Sequence, residues 1–446
     1  MDAHNIFGVF CLVFFSPGDT QQLEESTPST TLRFVHALWR HGDRSPAGTF
    51  PTDKRNPESS WPQGFGELSQ LGIQQQYALG RYLRRRYIDS GFMSARYDKR
   101  EIYVRSTDYN RTLMSAYANL AGMYPPSDAQ VWDESIKWQP IPVHTVSQNT
   151  DHLLFMESPC PTAKTLENSL WRSKDVMQKV HDNQAFFNFL QEKAGVQLDT
   201  LGSIWQIFDP LRCELAHNND TAVKRLPTWV NDTVYAEVVR LYDLSFKYYF
   251  STDAIKRFRG GPLLKEIIDR MERRQQNTTD LPSKYHAYSA HDTTVNSLLE
   301  VLGAYGDTPA PPYASLILLE LHESPANEWH VKVLFYRNST GPPYELPISN
   351  CPAPCTLSQL RKRSEHFFVD DWMYECGNVS FYRRHDGVIM IGLLFACVIM
   401  AAILVVLTWV VIRTQRRDMI DRRMYAPVPI REQPDDALII SNREDI

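Results

Sequence analysis

The heptapeptide Arg-His-Gly-Asp-Arg-Ser-Pro at residues 40–46 directly follows the apolar run Leu-Arg-Phe-Val-His-Ala-Leu-Trp at residues 32–39. The run has the composition of a buried β-strand, so we expect the heptapeptide to begin where that strand ends. Arg40 and Arg44 flank His41, and the planar arginine fork matches phosphate oxygens. Neighbouring cations disfavour protonation of the imidazole and leave a lone pair free to attack. This stretch predicts a phosphoryl-transfer site, and the alternative is a structural histidine among solvated surface charges.

Four further segments accompany this heptapeptide along the chain. They are Trp61–Leu68, Tyr103–Asp108, Trp138–His144 and Tyr288–Thr294. Together with the heptapeptide they resemble the acid phosphatase branch of the histidine phosphatase superfamily, from about Leu32 to Cys376. The resemblance implies hydrolysis of phosphate monoesters on a small molecule or a protein, and it also implies a homodimer.

Strands and helices are predicted to alternate around these segments. Strands are expected at 101–104 and 285–290, and each precedes a helix with an apolar stripe, the second running from Asp292 to a stop at Gly303. Ser69 can cap a further helix. The pattern predicts an α/β fold whose sheet is largely parallel and has helices on both faces.

The region from about residue 153 to residue 260 has a different pattern. It contains helical segments, such as 173–192 and 234–250, with few strand signals. We interpret it as a helical cap domain inserted beside the sheet. The resemblance allows the Trp205 region to help shape the substrate cleft, although Trp205 itself is interpreted as structural.

Three basic clusters each come directly after a predicted strand. They are Arg40 to Arg44, Arg105, and His291 with Asp292. The carboxyl ends of parallel strands share one edge of a sheet, and ligands bind at that edge. The helices after Arg105 and His291 also present backbone amides that favour an anion. We therefore expect these distant residues to form one site.

Chemistry and resemblance assign the same roles within this site. His41 is the nucleophile that forms a phosphohistidine, and Asp292 is the proton donor to the leaving alcohol and then the base for water. The phosphate oxygens are held by Arg40, Arg44, Arg105 and His291. Neither a metal nor another cofactor is expected, because the cationic cluster supplies the charge. Since Asp292 must be protonated to act as an acid, we predict an acidic pH optimum.

Other functions stay open at this point. The domain would be a catalytically idle receptor or adhesion module if only its fold were retained, although such a module has no need of a nucleophile and an acid together. A phytase-like or mutase branch of the same superfamily is a further alternative. A net charge of -5 over 446 residues, with mixed signs, gives no reason to expect nucleic acid as a partner.

Two apolar stretches predict how the chain meets a membrane. Residues 1–18 contain a short apolar run and are interpreted as a signal peptide. Residues 388–412 contain no charge and are long enough to cross a bilayer as a helix. Five arginines follow this span closely, which places the tail, residues 413–446, in the cytosol. The folded domain, residues 31–382, is then lumenal or extracellular, as in a single-pass type I protein.

The glycosylation sequons agree with this topology, because all of them lie before the span. Glycans are predicted at Asn219, Asn231, Asn277, Asn338 and Asn378. A sixth sequon, at Asn110, lies in the predicted helix near the proposed site, and we expect it to be incompletely occupied.

Five cysteines lie in the predicted lumenal domain, which is an oxidising compartment. The resemblance pairs Cys160 with Cys376 and Cys351 with Cys355. It leaves Cys213 unpaired, because Leu316 occupies the position where the family has a second cysteine. Cys213 is then either a buried free thiol or an intermolecular bridge.

The predicted cytosolic tail contains Tyr425-Ala426-Pro427-Val428, a tyrosine-x-x-apolar spacing that endocytic sorting adaptors bind. Together with the resemblance, this motif favours an endosomal or lysosomal membrane. The plasma membrane is the alternative.

Overall fold

A computed structural model describes residues 31–217, 226–278, 282–304, 309–337, 341–378 and 386–424. The chain divides into two units, residues 1–378 and residues 379–446, and each is described by itself. The predicted signal peptide and four of the predicted features lie outside the described residues. These four are the sequons at Asn219 and Asn338, the sorting motif at Tyr425 and the end of the tail.

Seven strands of the first unit form one sheet. They are β1 Leu32–Arg40, β2 Ile102–Thr107, β3 His144–Val146, β4 Tyr285–Ala290, β5 Leu316–Glu323, β6 Trp329–Tyr336 and β7 Tyr344–Leu346. Their order is β3-β2-β4-β1-β5-β6-β7, and the pairs from β3 to β1 are parallel whereas the pairs from β1 to β7 are antiparallel. The predicted α/β class is confirmed, but the sheet is mixed rather than largely parallel. A short connection from Glu323 to Trp329 joins β5 to β6, and only antiparallel strands can be joined so tightly.

Twelve helices of the first unit and one of the second have the following bounds in the described residues. They are α1 Gln70–Leu83, α2 Asn110–Met123, α3 Pro161–Trp171, α4 Lys174–Asp182, α5 Gln184–Ala194, α6 Trp205–Ala216, α7 Asp232–Tyr249, α8 Asp253–Arg259, α9 Gly261–Gln275, α10 Asp292–Leu302, α11 Leu357–Ser364, α12 Trp372–Glu375 and α13 Asp386–Met424. As predicted, Ser69 caps α1 by accepting from the Gly72 amide at 3.0 Å, and α10 ends at Gly303 with a φ of 64°.

Helices cover both faces of the sheet. Along β1, Val35 and Ala37 pack in a core with α1 and α2, whereas Phe34 and Leu38 pack in a larger core with α4 to α7, α9 and α10. The region predicted as a cap domain therefore shares its hydrophobic core with one sheet face. It forms the helical layer over that face.

The second unit consists of helix α13 in its described part. An apolar segment within it is long enough to cross a membrane, and its mean hydropathy reaches 3.1. The helix continues from the predicted end of the span at residue 412 to Met424, so the first residues of the predicted tail are helical.

The cysteines are arranged as the resemblance implies. Disulfides join Cys160 to Cys376 and Cys351 to Cys355. Cys213 is a buried free thiol, and burial raises its pKa to about 12, so the thiol stays protonated. Leu316 contributes an apolar side chain to the core beside α1 and α2.

Two carboxyl groups meet where α6 packs on the loop after the heptapeptide. Glu214 is fully buried and lies against Asp53, whose two carboxylate oxygens both accept from the Asn56 side-chain amide at 3.1 Å. Burial and the nearby Asp53 raise the pKa of Glu214 to about 10. Glu214 is therefore a neutral acid at physiological pH, facing an ionised Asp53.

Glu214→Gln is expected to flatten the pH dependence of stability. Folded Glu214 keeps its proton up to about pH 10, whereas in the unfolded chain it loses that proton above about pH 4.3. Above that pH the unfolded state of the wild type thus binds fewer protons than the folded state. The free energy of unfolding of the wild type therefore falls by up to about 1.4 kcal/mol for each unit by which the pH rises. Urea unfolding of the full chain in detergent at pH 5 and pH 7.5 measures this fall.

The matched control is Glu192→Gln, which removes an exposed carboxylate beside Lys193. In this variant the free energy of unfolding should fall with pH as steeply as in the wild type. The same slope in Glu214→Gln as in the wild type would show that Glu214 is ionised in the folded protein.

Candidate active site

The ends of β1 and β4 lie side by side and bring two distant histidines together. The His41 amide donates to the Ala290 carbonyl at 2.9 Å, directly after both strands end. The rings of His41 and His291 then lie 5.6 Å apart, edge to face. The predicted convergence of these two segments at the carboxyl edge of the sheet therefore occurs.

The turn after His41 requires a glycine. A Cβ atom on Gly42 would lie 2.3 Å from the Gly72 carbonyl oxygen in α1, which is closer than atoms can approach. The Gly42 amide also donates to the Ser115 hydroxyl in α2 at 3.1 Å. The first turns of α1 and the middle of α2 thus fix the backbone on which His41 is mounted.

The hydrogen bonding of His41 defines its tautomer. Its Nδ1 atom lies 2.8 Å from the Gly42 carbonyl oxygen, which can only accept, so Nδ1 has the proton and Nε2 has the lone pair. Burial lowers the pKa of His41 well below its ordinary value, and the charges of Arg111, Arg40 and Arg44 lower it further. The buried imidazole is therefore neutral, with its nucleophilic nitrogen free.

Three guanidinium groups surround the two histidines. Arg40 forms an ion pair with Asp292 at 2.8 Å, and Arg44 binds Asp209 through two hydrogen bonds of 2.7 and 3.2 Å. Arg111 lies over the Tyr109 ring, 4.4 Å from its centre, and has no ion pair with the described residues. The Nε atoms of all three arginines are buried and have no acceptor in the described part of the chain. These are unused donors suited to an oxyanion.

Arg105 does not lie where the sequence predicted. Its guanidinium contacts Asp151, and the arginines whose charges act on His41 and His291 are Arg40, Arg44 and Arg111. The strand prediction ended at residue 104, but β2 runs on to Thr107. Arg105 is therefore inside the strand, level with Tyr288 on β4, and not at the edge.

Arg111 takes the place that was expected for Arg105. It lies in the first turn of α2, where a cation is disfavoured by the helix dipole. Burial and the charge of Arg44 lower the pKa of Arg111 to about 10, so it stays charged at neutral and acidic pH. A cation in the first turn of a predicted helix, shortly after a strand end, is the signal that could have identified it from sequence.

Arg105 has a structural connection to the site. Its partner Asp151 accepts from the Leu154 amide at 3.1 Å, and the Leu154 carbonyl accepts from the Thr294 hydroxyl at 2.7 Å. Thr294 in turn accepts weakly from the His291 amide at 3.4 Å. Arg105 therefore fixes the segment that supports the start of α10.

His291 is held by a chain of hydroxyl groups. Its Nε2 atom lies 2.9 Å from the Thr107 hydroxyl, which donates to the Thr112 hydroxyl at 2.9 Å. Burial lowers the pKa of His291 well below its ordinary value, as do the charges of Arg111 and Arg44. His291 is therefore a neutral ring with a fixed orientation beside His41.

Asp292 is ionised and paired with Arg40. Burial raises its pKa, but the charges of Arg40 and Arg44 outweigh burial and leave the pKa below its ordinary value. The Asp292 carboxylate also accepts from the Thr293 amide at 2.9 Å. A cleft of about 480 Å³ opens beside Asp292 and is lined by Trp205, a position that the resemblance allowed, and by Tyr242. This cleft has room for the group esterified to a phosphate.

Comparison with known proteins identifies the family of this chain. The family model described as histidine phosphatase superfamily (branch 2) matches residues 31–336. The chain belongs to this family. It is 38% identical to lysosomal acid phosphatase from Xenopus laevis, over 85% of this chain and 86% of the relative. It is 39% identical to prostatic acid phosphatase from Homo sapiens, over 85% of this chain and 94% of that protein.

Solved structures show the same fold at much lower identity. The apo form of Hafnia alvei phytase superposes with a TM-score of 0.60 at 17% identity, and the match covers 78% of this chain and 98% of that one. At this identity the likeness concerns the fold alone.

Arg111→Gln and Arg105→Gln are expected to differ in their effect on anion binding. Loss of the Arg111 donor should weaken the binding of inorganic phosphate by about 10- to 100-fold, because hydrogen bonds to charged groups contribute about 1.5–3 kcal/mol. Arg105→Gln should weaken it less than about threefold, since Arg105 faces Asp151. Isothermal titration calorimetry on the full chain in detergent at pH 5 gives both values. A loss for Arg105→Gln as large as that for Arg111→Gln would return Arg105 to the phosphate site.

Proposed function

We propose that this protein hydrolyses phosphate monoesters through a phosphohistidine formed on Nε2 of His41. The observation that supports this most is a neutral, buried imidazole beside three arginines whose Nε donors have no acceptor among the described residues. Two relatives that are acid phosphatases, at 38% and 39% identity, support the same activity, as the sequence predicted.

The first step transfers the phosphoryl group to the enzyme. The Nε2 lone pair of His41 forms a bond to phosphorus as the ester P–O bond breaks, and Asp292 gives its proton to the departing alkoxide. Arg40, Arg44 and Arg111 bind the non-bridging oxygens and stabilise the charge of the transition state. His291, which the sequence predicted as a further phosphate ligand, lies beside His41 as a neutral ring with a fixed orientation.

Asp292 needs a proton before it can act as an acid. In the free protein its pKa is held low by Arg40 and Arg44. A bound phosphate competes for both arginines and adds negative charge next to the carboxylate, and both effects raise the pKa of Asp292. The acid form is thus favoured in the substrate complex and at low pH, which accounts for the predicted acidic optimum.

The second step releases phosphate. Asp292, now a carboxylate, accepts a proton from water as the water oxygen bonds to phosphorus and the N–P bond breaks. The bonding electrons return to Nε2, which restores neutral His41. Asp292 is protonated again, as at the start of the cycle.

The alternatives are less well supported. A catalytically idle receptor would not need a neutral nucleophile and a carboxylate on the same phosphate site. The phytase-like alternative has only the shared fold in its favour, because the phytase structures are 16% to 20% identical. Turnover of simple monoesters at acid pH, with no isomerase activity, would separate the proposal from both an idle module and a mutase.

We also propose the predicted type I topology, with α13 in an endosomal or lysosomal membrane. In this proposal the lumenal domain forms a homodimer, and sorting adaptors bind the motif at Tyr425. Asn231, Asn277 and Asn110 are all exposed, but the Asn110 side-chain amide donates to Glu67 at 3.0 Å. Asn231→Gln and Asn277→Gln should each remove one endoglycosidase-sensitive mass increment, and Asn110→Gln should remove one from only part of the protein. Absence of glycans at both Asn231 and Asn277 would contradict the lumenal placement.

Asp292→Asn is expected to separate substrates by leaving group. In single turnovers at pH 5, release of the alcohol from an alkyl phosphate should slow by about 10²- to 10⁴-fold, because its alkoxide requires the proton. Release of p-nitrophenol should slow much less, since p-nitrophenolate leaves without one. Rapid-quench measurements on the full chain give both rates, and an equal loss would remove Asp292 from the acid role.

The role of His41 as the nucleophile is tested by trapping the phosphorylated enzyme in the same rapid-quench experiment. Wild-type protein quenched in alkali should retain an acid-labile phosphoryl label on His41, and His41→Ala should retain none. A label of equal size in His41→Ala would place the nucleophile elsewhere.

A further inference from the structure

Arg212 on α6 is a fourth guanidinium beside the active site, and none of the steps above uses it. Its guanidinium carbon lies 4.8 Å from the centre of the Tyr313 ring, and that of Arg40 lies 4.2 Å from the same centre. The two guanidinium carbons are thus no farther apart than the sum of these distances. Tyr313 also contacts His41, with 5.6 Å between ring centres. Arg212 is therefore an immediate neighbour of the proposed phosphate site.

Arg212 differs from Arg40 and Arg44 in its partners. Those two arginines each form an ion pair with a carboxylate, whereas Arg212 forms neither an ion pair nor a hydrogen bond with the described residues. It stacks on Tyr313 and on Phe208, 5.5 Å from the ring centre of the latter. These contacts hold the guanidinium plane without using its donors.

The nitrogen atoms of Arg212 stay accessible. The side chain is only partly buried, and none of its nitrogens is among the buried polar atoms that have no partner. These nitrogens are therefore exposed to solvent and have no acceptor among the described residues. Arginine in this setting is a bidentate donor for a carboxylate or a phosphate.

Two carboxylates lie near Arg212 without pairing to it. Asp243 accepts from the Ala310 amide at 3.1 Å, and Asp292 is paired with Arg40. Burial raises the pKa of Asp243 and Asp292, and the charge of Arg212 counteracts this for both groups. Both carboxylates thus have other partners, so the donors of Arg212 remain available.

We propose that Arg212 binds a second anionic group of the substrate. Preferred substrates would be phosphate monoesters that have a carboxylate or a second phosphate a few atoms from the ester. This inference rests on the proposed function, because the first phosphate must bind Arg40, Arg44 and Arg111. The second anion then lies on the Arg212 side of Tyr313.

The test uses two matched pairs of esters. Glycerol 3-phosphate and 3-phosphoglycerate differ by a carboxylate, and the monophosphate and bisphosphate of propane-1,3-diol differ by a phosphate. For each ester, kcat and KM of the full chain in detergent are measured at several pH values. The variants are Arg212→Gln, Arg212→Lys and the control Arg240→Gln, which removes an arginine paired with Glu237 on α7.

Arg212→Gln should raise KM by about tenfold or more for at least one doubly anionic ester and change KM for its singly anionic partner less than twofold. Which pair responds distinguishes a carboxylate site from a phosphate site. Arg212→Lys should recover part of the loss, because it keeps the charge but not the fork. Arg240→Gln should leave all four KM values unchanged.

Two results would overturn the inference while leaving the proposed function intact. One is an equal KM change for both members of each pair. The other is a shifted acid limb of the kcat profile with no substrate discrimination, which would mean that Arg212 acts only through Asp292. A wild-type chain that hydrolyses none of the four esters nor p-nitrophenyl phosphate would contradict the proposed function, and with it this inference.

Discussion

The account depends on a neutral histidine buried among positive charges. Protonation of His41 would place a further cation beside Arg40, Arg44 and Arg111. This is unfavourable because His41 is buried and because the arginine charges repel the imidazolium. The same charges that disfavour the imidazolium attract a phosphate, so one arrangement prepares both the nucleophile and its target. Asp292 and Asp209 each pair with one arginine and keep the cluster stable without a ligand, while Arg111 has no ion pair with the described residues.

The fold positions the histidines and arginines at one edge of the sheet. The heptapeptide at residues 40–46 is therefore not sufficient to form the site by itself. Ends of β1 and β4 define the distance between His41 and His291, and the close approach of Gly42 to α1 fixes the turn between His41 and Arg44. The hydrogen-bonded hydroxyl groups of Thr107 and Thr112 orient His291. Asp209 on α6 also connects the cap helices to Arg44, so the helical layer contributes to the site as well as to the core.

The positions of site residues were predicted best where a motif directly follows a strand. The heptapeptide, His291 and Asp292 were placed correctly because strand, turn and functional residue are contiguous there. Arg105 was assigned to the site because β2 was predicted three residues too short, and strand boundaries are the weakest part of such predictions. The antiparallel half of the sheet and the contacts of Glu214 and Arg212 arise from tertiary packing between distant segments. Periodicity within one segment does not contain that information.

The ionisation state of His41 tests the central claim most directly. ¹⁵N-histidine-labelled full chain in detergent, with the His41 signals assigned by their loss in His41→Asn, reports both ring nitrogens by NMR as the pH is lowered. We predict a neutral ring at pH 5 with the proton on Nδ1 and the lone pair on Nε2. An imidazolium at pH 5, or a neutral ring with its proton on Nε2, would contradict the account.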